Sequence, residues 1–323
     1  MKQPVKTLVL SLALGAAFPV AGAGFPERNI RFIVPFGPGG GTDFFARIVG
    51  AKLTEILGHQ VIIDNRPGAQ GNIGTALGAK AAPDGYTVTL GHMSILALNP
   101  HLDSNQGFDA LRDFAAVARG TAAQWVMLVT PSLPAKTVKE LVALAKQRPG
   151  KLSYAATATT GQILGELFKI ATGTDILHIP YKSTTPAFID LMAGTVDMYI
   201  SSPVGALPHI KAGKLRAVMI VGPKRDTTLP NVPSAVEAGV PDLGVTGWYG
   251  VIVPAGTPRE VIVKLNAGIV SGLSQPDMRE RLRAGGIEVS LSTPEEFDQQ
   301  IRADFKRWEK IVKAVKATGA ELR

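Results

Sequence analysis

The chain has no cysteine, and this absence excludes several kinds of site at once. Disulfide bonds, thiolate-bound metals and cysteine nucleophiles would all need that residue. A lipoprotein anchored through a cysteine is excluded for the same reason. Blocks of lysine and arginine, and basic patches interleaved with aromatic residues, are absent as well. Nucleic-acid binding therefore has little support, and we expect no nucleic-acid partner.

Long apolar runs are also missing, apart from one near the N-terminus. That run extends from Thr7 to about Phe18 behind two lysines, and a small-x-small pattern ending at Ala23 follows it. This order is typical of a secretory signal peptide, so we expect residues 1–23 to be cleaved near Ala23 and the mature chain to be periplasmic. A membrane anchor is the alternative, but the run is too short to cross about 30 Å of hydrocarbon.

The remaining composition is that of a globular protein with a sizeable core. Of the 323 residues, 46% are hydrophobic and 19% are charged, and this length suggests two domains. Without the two lysines of the leader, the 34 basic residues fall to 32 against 26 acidic ones, a formal charge of +6. This charge weakly favours an anionic small ligand.

Strand-like runs alternate with helical patterns along most of the chain, which predicts an α/β fold. The first strand is expected at Ile30–Phe36 and the first helix at Asp43–Leu57, with Thr42 or Asp43 as its N-cap. The alternation restarts at Trp125 (WVMLV). We expect mostly parallel sheets with helices on both faces.

Two α/β units of this kind predict a two-lobed protein. Residues 24–124 and 246–323 would form lobe 1, and residues 125–245 would form lobe 2. The chain would cross between the lobes near Ala123–Trp125 and Val245–Tyr249. Ligands of open α/β sheets bind beyond the carboxyl ends of the strands, so the predicted site is a cleft between the lobes.

The most distinctive segment follows the first predicted strand and reads VPFGPGGGTD, from Val34 to Asp43. It lacks the lysine of a phosphate-binding P-loop and the third glycine of a dinucleotide fingerprint, so a nucleotide is improbable. The amides of residues 39–43 would nevertheless have no partner inside the following helix, and glycine lets a ligand approach them. An anion such as a carboxylate suits this helix start. The alternative is merely a tight turn.

A comparable segment follows the predicted strand KLSYAA in the second lobe. It reads Thr157-Ala-Thr-Thr-Gly-Gln162 and also precedes a helix. The hydroxyls of Thr157, Thr159 and Thr160 could donate hydrogen bonds beside the amides of the helix start. An ordinary cluster of N-cap residues is the alternative. Facing helix starts on the two lobes would hold both ends of a dianion.

Signatures of catalysis are absent from the sequence. It has no Gly-x-Ser-x-Gly elbow, no HExxH and no carboxylate–histidine spacing suited to a metal. We therefore expect no enzyme, no metal and no cofactor. The five histidines are scattered, and only His92, after the strand YTVTLG, is expected to face the cleft. Trp248 and Tyr249 are interpreted as hinge or core residues.

Several motifs in order along the chain resemble the Bug family, the extracytoplasmic solute receptors of tripartite tricarboxylate transporters (TctC type). The resemblance begins at about Phe25 and continues to the C-terminus. The motifs include FPERNIRFIVPFGPGGGTD, DNRPGAQGNIG, APDGYTVTLG, LMAGTVDMYI, ALPHIKAGKLRAV and WYGVIVPAGTP. No single motif is specific, but the ordered set is.

This resemblance implies a periplasmic binding protein of type II, the Venus-flytrap class. Such a receptor captures a carboxylate between two lobes and delivers it to the membrane subunits of its transporter, and we expect a monomer. The resemblance implies that carboxylates are held by the two loops described above. The predicted ligand-binding residues are Phe36, Gly37, Gly39, Gly40, Gly41, Thr42, His92, Met93, Ser94, Thr157, Thr159, Thr160, Gln162, Ser201 and Ser202.

The chain departs from the family pattern where many members have Phe-Asp, since Ile200-Ser201-Ser202 stands there. Without that aspartate, ligands with an amine are disfavoured. The remaining lining is rich in hydroxyls and partly apolar, which suits a flat carboxylate. We predict an aromatic dicarboxylate such as terephthalate or phthalate, with a citrate-like or aliphatic dicarboxylate as the alternative. A receptor that signals to a membrane sensor would have the same binding chemistry.

Overall fold

A computed structural model describes residues 24–320 except 104, 158, 182, 285 and 286, together with residue 322. The predicted leader, residues 1–23, lies outside the described residues. The strands are β1 (Ile30–Val34), β2 (Val61–Asn65), β3 (Thr87–His92), β4 (Phe114–Arg119), β5 (Thr121–Ala122), β6 (Trp125–Val129), β7 (Ser153–Ala156), β8 (Leu177–Pro180), β9 (Met198–Ser201), β10 (Arg216–Val221), β11 (Tyr249–Pro254) and β12 (Glu288–Val289).

Helices alternate with these strands, as the sequence predicts. They are α1 (Gly41–Leu57), α2 (Asn72–Ala79), α3 (Val138–Gln147), α4 (Thr159–Thr172), α5 (Thr184–Ala193), α6 (Pro203–Lys211), α7 (Arg259–Ser274), α8 (Pro276–Ala284) and α9 (Pro294–Ala317). A π-helical turn at Ser94–Leu98 follows β3 directly. Among the described ranges, no helix combines the length and the apolar character that a membrane crossing needs.

Two five-stranded sheets form the frame of the molecule. The first has the order β2-β1-β3-β11-β4 and the second has the order β10-β6-β9-β7-β8. Strands from residues 30–119 and 249–254 build the first sheet, and strands from residues 125–221 build the second. The lobe boundaries at 124/125 and 245/246 remain a prediction. Between the sheets, the two crossover segments pair at Ala123 and Gly247, with N–H···O distances of 2.8 and 2.7 Å.

The expectation of mostly parallel sheets is confirmed, since four of the five strands in each sheet run in the same direction and one runs opposite. In the first sheet, β1 runs parallel to β2 and β3, whereas β11 runs antiparallel to β3 and β4. In the second, β7 is parallel to β8 and β9, whereas β6 is antiparallel to β9 and β10. The two strands that run opposite are β11 and β6, and each is the first strand of its sheet after a crossover segment.

The sequence predicts the bounds of individual strands and helices best where an element has a clear boundary in the sequence. β6 spans Trp125–Val129 as expected, and the Thr137 side chain caps α3 by accepting from the Glu140 amide at 3.2 Å. The expected N-cap of α1 is wrong. Gly40 occupies that position without a side-chain cap, and Thr42 and Asp43 lie inside the first turn.

The long C-terminal helix α9 contacts both units of the chain. Its buried face consists of Pro294, Phe297, Ile301, Trp308, Ile311, Val312 and Val315. This face packs on β4 and on the π-helical turn of the first unit, and it also packs on α4 of the second. Trp248, from the second crossover, lies in the same apolar cluster at 1% exposure. Contact between the sheets therefore includes a shared core as well as the two crossovers.

A candidate ligand-binding cleft

The glycine segment between β1 and α1 forms the first wall of the site. Gly39 has φ of +87°, which a residue with a side chain rarely adopts. Gly39, Gly40 and Gly41 are exposed, and the first amides of a helix have no partner within it. A Cβ atom on Gly41 would lie only 3.4 Å from the Tyr249 hydroxyl. The segment therefore offers backbone donors in the space beside Tyr249.

Asp43 holds this segment in place from inside the first turn of α1. Its Oδ2 accepts from the Gly39 amide and from Arg47 Nε, both at 2.9 Å, and its Oδ1 accepts from Asn65 Nδ2 at 3.0 Å. Burial opposes ionisation, but the bonds from Arg47, Gly39 and Asn65 keep the pKa of Asp43 below its usual value. The amide of Gly39 is thus occupied, which corrects the expectation that residues 39–43 all offer amides to a ligand.

Three rings form an apolar wall next to this segment. The rings of Phe36 and His92 meet edge to face, with their centroids 5.1 Å apart. His92 stacks on Tyr249 with centroids 5.2 Å apart and planes 27° apart. The stack follows from the sheet register, since Tyr249 of β11 pairs with His92 of β3.

His92 is a neutral hydrogen-bond donor in this wall. Its Nδ1 accepts from the Ser94 amide at 3.1 Å and lies 2.7 Å from the Ser94 hydroxyl. Because Nδ1 accepts, the ring proton of the neutral form is on Nε2. Burial lowers the pKa of His92 to about 4, so the ring carries no charge near neutral pH. It can donate one hydrogen bond to a carboxylate without forming an ion pair.

Lowering the pH from 7 to 4.5 is expected to remove roughly 2–3 kcal/mol of stability through His92. Its folded pKa of about 4 lies below the ordinary value of 6.5, so the unfolded chain takes up the proton first as the pH falls. His92→Gln, which cannot titrate, should lose correspondingly less over the same interval. Guanidinium unfolding of both proteins at the two pH values measures this. Equal losses would contradict a neutral imidazole with a lowered pKa.

The second wall comes from the segment between β7 and α4. Thr157 Oγ1 lies 3.0 Å from the hydroxyl of Tyr199, and Thr159 begins α4 and is buried. Thr160 and Gln162 are partly exposed in the first turn of the helix. Ser201, at the end of β9, is buried, and Ser202 beside it is exposed. This wall contributes hydroxyls and a helix start.

A cleft of about 2000 Å³ separates the two walls. Its lining includes these predicted site residues: Phe36, Gly39, Gly41, His92, Met93, Ser94, Thr157, Thr159, Thr160, Gln162, Ser201 and Ser202. The other three do not line it. Gly37 and Gly40 belong to the glycine segment outside the lining, and Thr42 is buried in the first turn of α1. Met93 lines the cleft but is 1% exposed and packs in the core.

Other residues of the lining were missed by the sequence interpretation. Tyr249 was interpreted as hinge or core, but it lies in the aromatic wall. Trp248 is buried, as that interpretation expects. Gln70 also lines the cleft, and its Oε1 lies 3.5 Å from Thr159 Oγ1 of the opposite wall. Gln70 has a positive φ of 54°. The sequence NRPGAQG does not reveal this, because its two glycines already account for a turn.

Positive charge is scarce in the described lining. Lys169 is its lysine, and its Nζ pairs with Glu166 at 2.9 Å. His178 also lines the cleft, and burial lowers its pKa. The described residues contain no group of three or more His, Asp or Glu suited to a metal ion. A carboxylate here would therefore be bound mainly by neutral donors: backbone amides, hydroxyls and the His92 ring.

Comparison with known proteins identifies the family of this chain. The model of the tripartite tricarboxylate transporter family receptor matches residues 45–317. The chain belongs to this family. BugT of Bordetella pertussis is 37% identical over 312 residues, which cover 96% of this chain and 95% of BugT. The Bug-type resemblance found in the motifs is thereby confirmed, and the chain is a solute-binding receptor of a family whose members are periplasmic and work with transporter membrane subunits.

Solved structures of similar receptors confirm the two-lobed fold. A protein of Rhodopseudomonas palustris solved with adipate is 35% identical, with a TM-score of 0.78, and the match covers 90% of this chain and 98% of that one. MatC from the same organism, solved with malate, is 32% identical, with a TM-score of 0.74, and the match covers 89% of this chain and 100% of that one. Both proteins were solved with aliphatic dicarboxylates.

Proposed function

We propose that this receptor binds an aromatic dicarboxylate of the terephthalate or phthalate kind and delivers it to the membrane subunits of its transporter. One carboxylate would lie at the start of α1, within reach of the Gly41 amide and His92 Nε2. The other would lie at the start of α4, beside Thr159 and Thr160. We further propose that the receptor acts as a monomer and that residues 1–23 are its cleaved leader.

The observation that carries this proposal is the aromatic wall beside the start of α1, in a cleft that is also lined by the start of α4. Helix starts attract anions through their free amides and the helix dipole. A flat ring could lie against Phe36 and the His92–Tyr249 stack, since offset or edge-to-face contacts between rings add about 0.5–1.5 kcal/mol beyond burial. Ser201, where many family members have an aspartate, offers no charge to a ligand amine.

An aliphatic dicarboxylate is the second candidate, and the adipate-bound relative favours it. That protein is 35% identical to this chain. Six-carbon adipate and terephthalate both carry their carboxylates at the ends of an apolar middle. The two candidates differ in whether the middle can stack on the aromatic wall.

A thermal-shift panel of terephthalate, phthalate, adipate, malate, citrate and glutamate tests the proposal. A ligand present at about 100 times its Kd should stabilise the folded protein by about 2.7 kcal/mol. We expect terephthalate or phthalate to give the largest rise in Tm and glutamate none. Stabilisation by glutamate alone would refute the assignment to dicarboxylates without an amine. A larger rise with adipate than with either aromatic acid would select the second candidate.

Thr160→Val separates ligand binding from folding. The substitution keeps the shape of the side chain and removes the hydroxyl, and Thr160 is partly exposed at the start of α4. We expect affinity for the best ligand of the panel to fall about three- to tenfold by calorimetry, the effect of one neutral hydrogen bond. The Tm of the ligand-free protein should stay within about 1 °C. Unchanged affinity would remove Thr160 from the proposed site.

A further inference from the structure

The loop between β2 and α2 has a backbone that is costly to form. Four of its six residues have positive φ in succession: 134° at Gly68, 45° at Ala69, 54° at Gln70 and 98° at Gly71. Glycine adopts such angles readily, but a residue with a Cβ atom loses on the order of 1–2 kcal/mol there. Ala69 and Gln70 are therefore both strained, and surrounding contacts must hold them in place.

A buried pair of amide side chains supplies part of that restraint. Asn99 Nδ2 donates to Asn72 Oδ1 at 3.1 Å and to the Gln70 carbonyl oxygen at 3.4 Å. Both asparagines are buried, at 4% and 9% exposure. Gly71 also packs so closely on Ile95 that a Cβ atom there would lie 2.3 Å from the Ile95 Cδ1 atom.

The strained backbone places the two neighbouring side chains in different surroundings. Gln70 lines the cleft, whereas Ala69 lines a separate, smaller depression on the surface. Gln70 Oε1 accepts from Thr159 Oγ1 at 3.5 Å, which is at the weak end of the range for a hydrogen bond. That contact is too weak to balance the strain. Because Oε1 is the atom that accepts, Nε2 remains as a donor next to the start of α4.

We propose that Gln70 is a specificity-determining residue of the cleft, which donates from Nε2 to the ligand carboxylate at the start of α4. This inference rests on the proposed function and identifies the group that selects for a second carboxylate. A neutral amide can donate to a carboxylate without the desolvation cost of a buried cation. Gln70 is exposed, so with a methyl group in place of that carboxylate water would take its place at Nε2, and the loss of the hydrogen bond to a charged group is the source of the discrimination.

A pair of glycine substitutions at adjacent strained positions tests the proposal. Gln70→Gly and Ala69→Gly each remove a side chain from the left-handed region, but only the first removes a group that lines the cleft. We expect both substitutions to raise the Tm of the ligand-free protein by about 1–2 °C, since relief of strain exceeds the added freedom of the unfolded chain. The probes are two pairs of ligands, and in each pair a methyl group replaces one carboxylate. The aromatic pair is terephthalate and 4-methylbenzoate, and the aliphatic pair is adipate and hexanoate.

The expected result is a loss of selectivity in one variant only. Gln70→Gly should bind the dicarboxylate of the better pair at least about tenfold more weakly, the effect of one hydrogen bond to a charged group. Its affinity for the matching monocarboxylate should change less than threefold. Ala69→Gly should keep the wild-type ratio of dicarboxylate to monocarboxylate affinity. Gln70→Glu should bind the dicarboxylate more weakly than Gln70→Gly because of charge repulsion.

Each failure has its own meaning. If neither dicarboxylate binds the wild-type protein, the proposed function fails together with this inference. If a dicarboxylate binds the wild type and Gln70→Gly keeps the same ratio of dicarboxylate to monocarboxylate affinity, only the inference about Gln70 is overturned. Equal weakening in the Ala69→Gly protein would also overturn it, since the effect would then belong to the loop backbone.

Discussion

Asp43→Ala is expected to lower the free energy of unfolding by about 2–4 kcal/mol and to weaken ligand binding at least about tenfold. The residue Asp43 is 4% exposed, and its carboxylate accepts hydrogen bonds from the Gly39 amide, Asn65 and Arg47. Without it, the Gly39 amide loses its partner, and Asn65 Nδ2 keeps only its bond to the Phe36 carbonyl oxygen at 3.0 Å. The glycine segment also loses the contact that orders it in the ligand-free protein. The entropic cost of ordering it then weakens ligand binding.

The pH dependence of this contribution follows from the lowered pKa of Asp43. A carboxyl group whose pKa is lower in the folded protein stabilises the fold above its ordinary pKa of 3.8 and loses this effect as the pH falls through the folded pKa. The defect of Asp43→Ala should therefore be fully present at pH 7. Chemical denaturation and calorimetric titration with the best ligand of the panel measure the two effects.

Asp298→Ala is the matched control for this prediction. Asp298 pairs with Arg302 at 2.8 Å and a spacing of four residues on α9, much as Asp43 pairs with Arg47 at 2.9 Å on α1. Its side chain is 43% exposed, however, against 5% for Asp43. Exposed helix pairs contribute about 0.3–0.5 kcal/mol. A comparable loss in both variants would mean that Asp43 acts only as a helix ion pair.

Trp248→Ala is expected to cost about 3–5 kcal/mol of stability, the range for loss of a large buried ring. Trp248 is 1% exposed and meets Phe297 of α9 edge-to-face, with ring centroids 5.0 Å apart. Its Nε1 also donates to Asp304 Oδ2 at 2.7 Å. The substitution removes the contact between the second crossover and α9, which packs on β4 of the first sheet and on α4 of the second unit. A loss below 1 kcal/mol in guanidinium unfolding would contradict this role.

Trp248→Phe separates the packing of the ring from its hydrogen bond. Burial raises the pKa of Asp304, while the bonds from Trp248 and Gln300 oppose that rise. The phenylalanine variant keeps most of the packing but removes one donor, so the pKa of Asp304 should rise further. A raised pKa favours the fold at low pH and penalises it as the pH rises through the shifted value. The defect relative to wild type should therefore be smaller at pH 4 than at pH 7.

Local sequence signals predicted individual elements well where they were strong. Trp125–Val129 is an unbroken apolar run and forms β6 as predicted. The strand Phe114–Arg119 was missed because its sequence, FAAVAR, contains three alanines and lacks the β-branched pattern of a strand. Helix α8 was missed because its sequence, PDMRERLRA, has too few apolar residues to show a helical face.

The sequence by itself determined the groups available to the site. A glycine-rich helix start, a threonine-rich helix start and a histidine at the end of a strand are all local features, and most of the residues predicted from them line the cleft. Their chemistry does not depend on distant parts of the chain. The sequence therefore predicted a binding site for a small anion without any signature of catalysis.

Only the tertiary structure decided which of these groups meet and what stands between them. Tyr249 faces His92 because β11 inserts antiparallel beside β3 in one particular register, and the two residues are far apart along the chain. Gln70 reaches Thr159 because a strained loop is held by Asn99 from another segment. Apolar periodicity records which face of a strand is buried but not its direction, its neighbour or its register. Those depend on packing between distant segments.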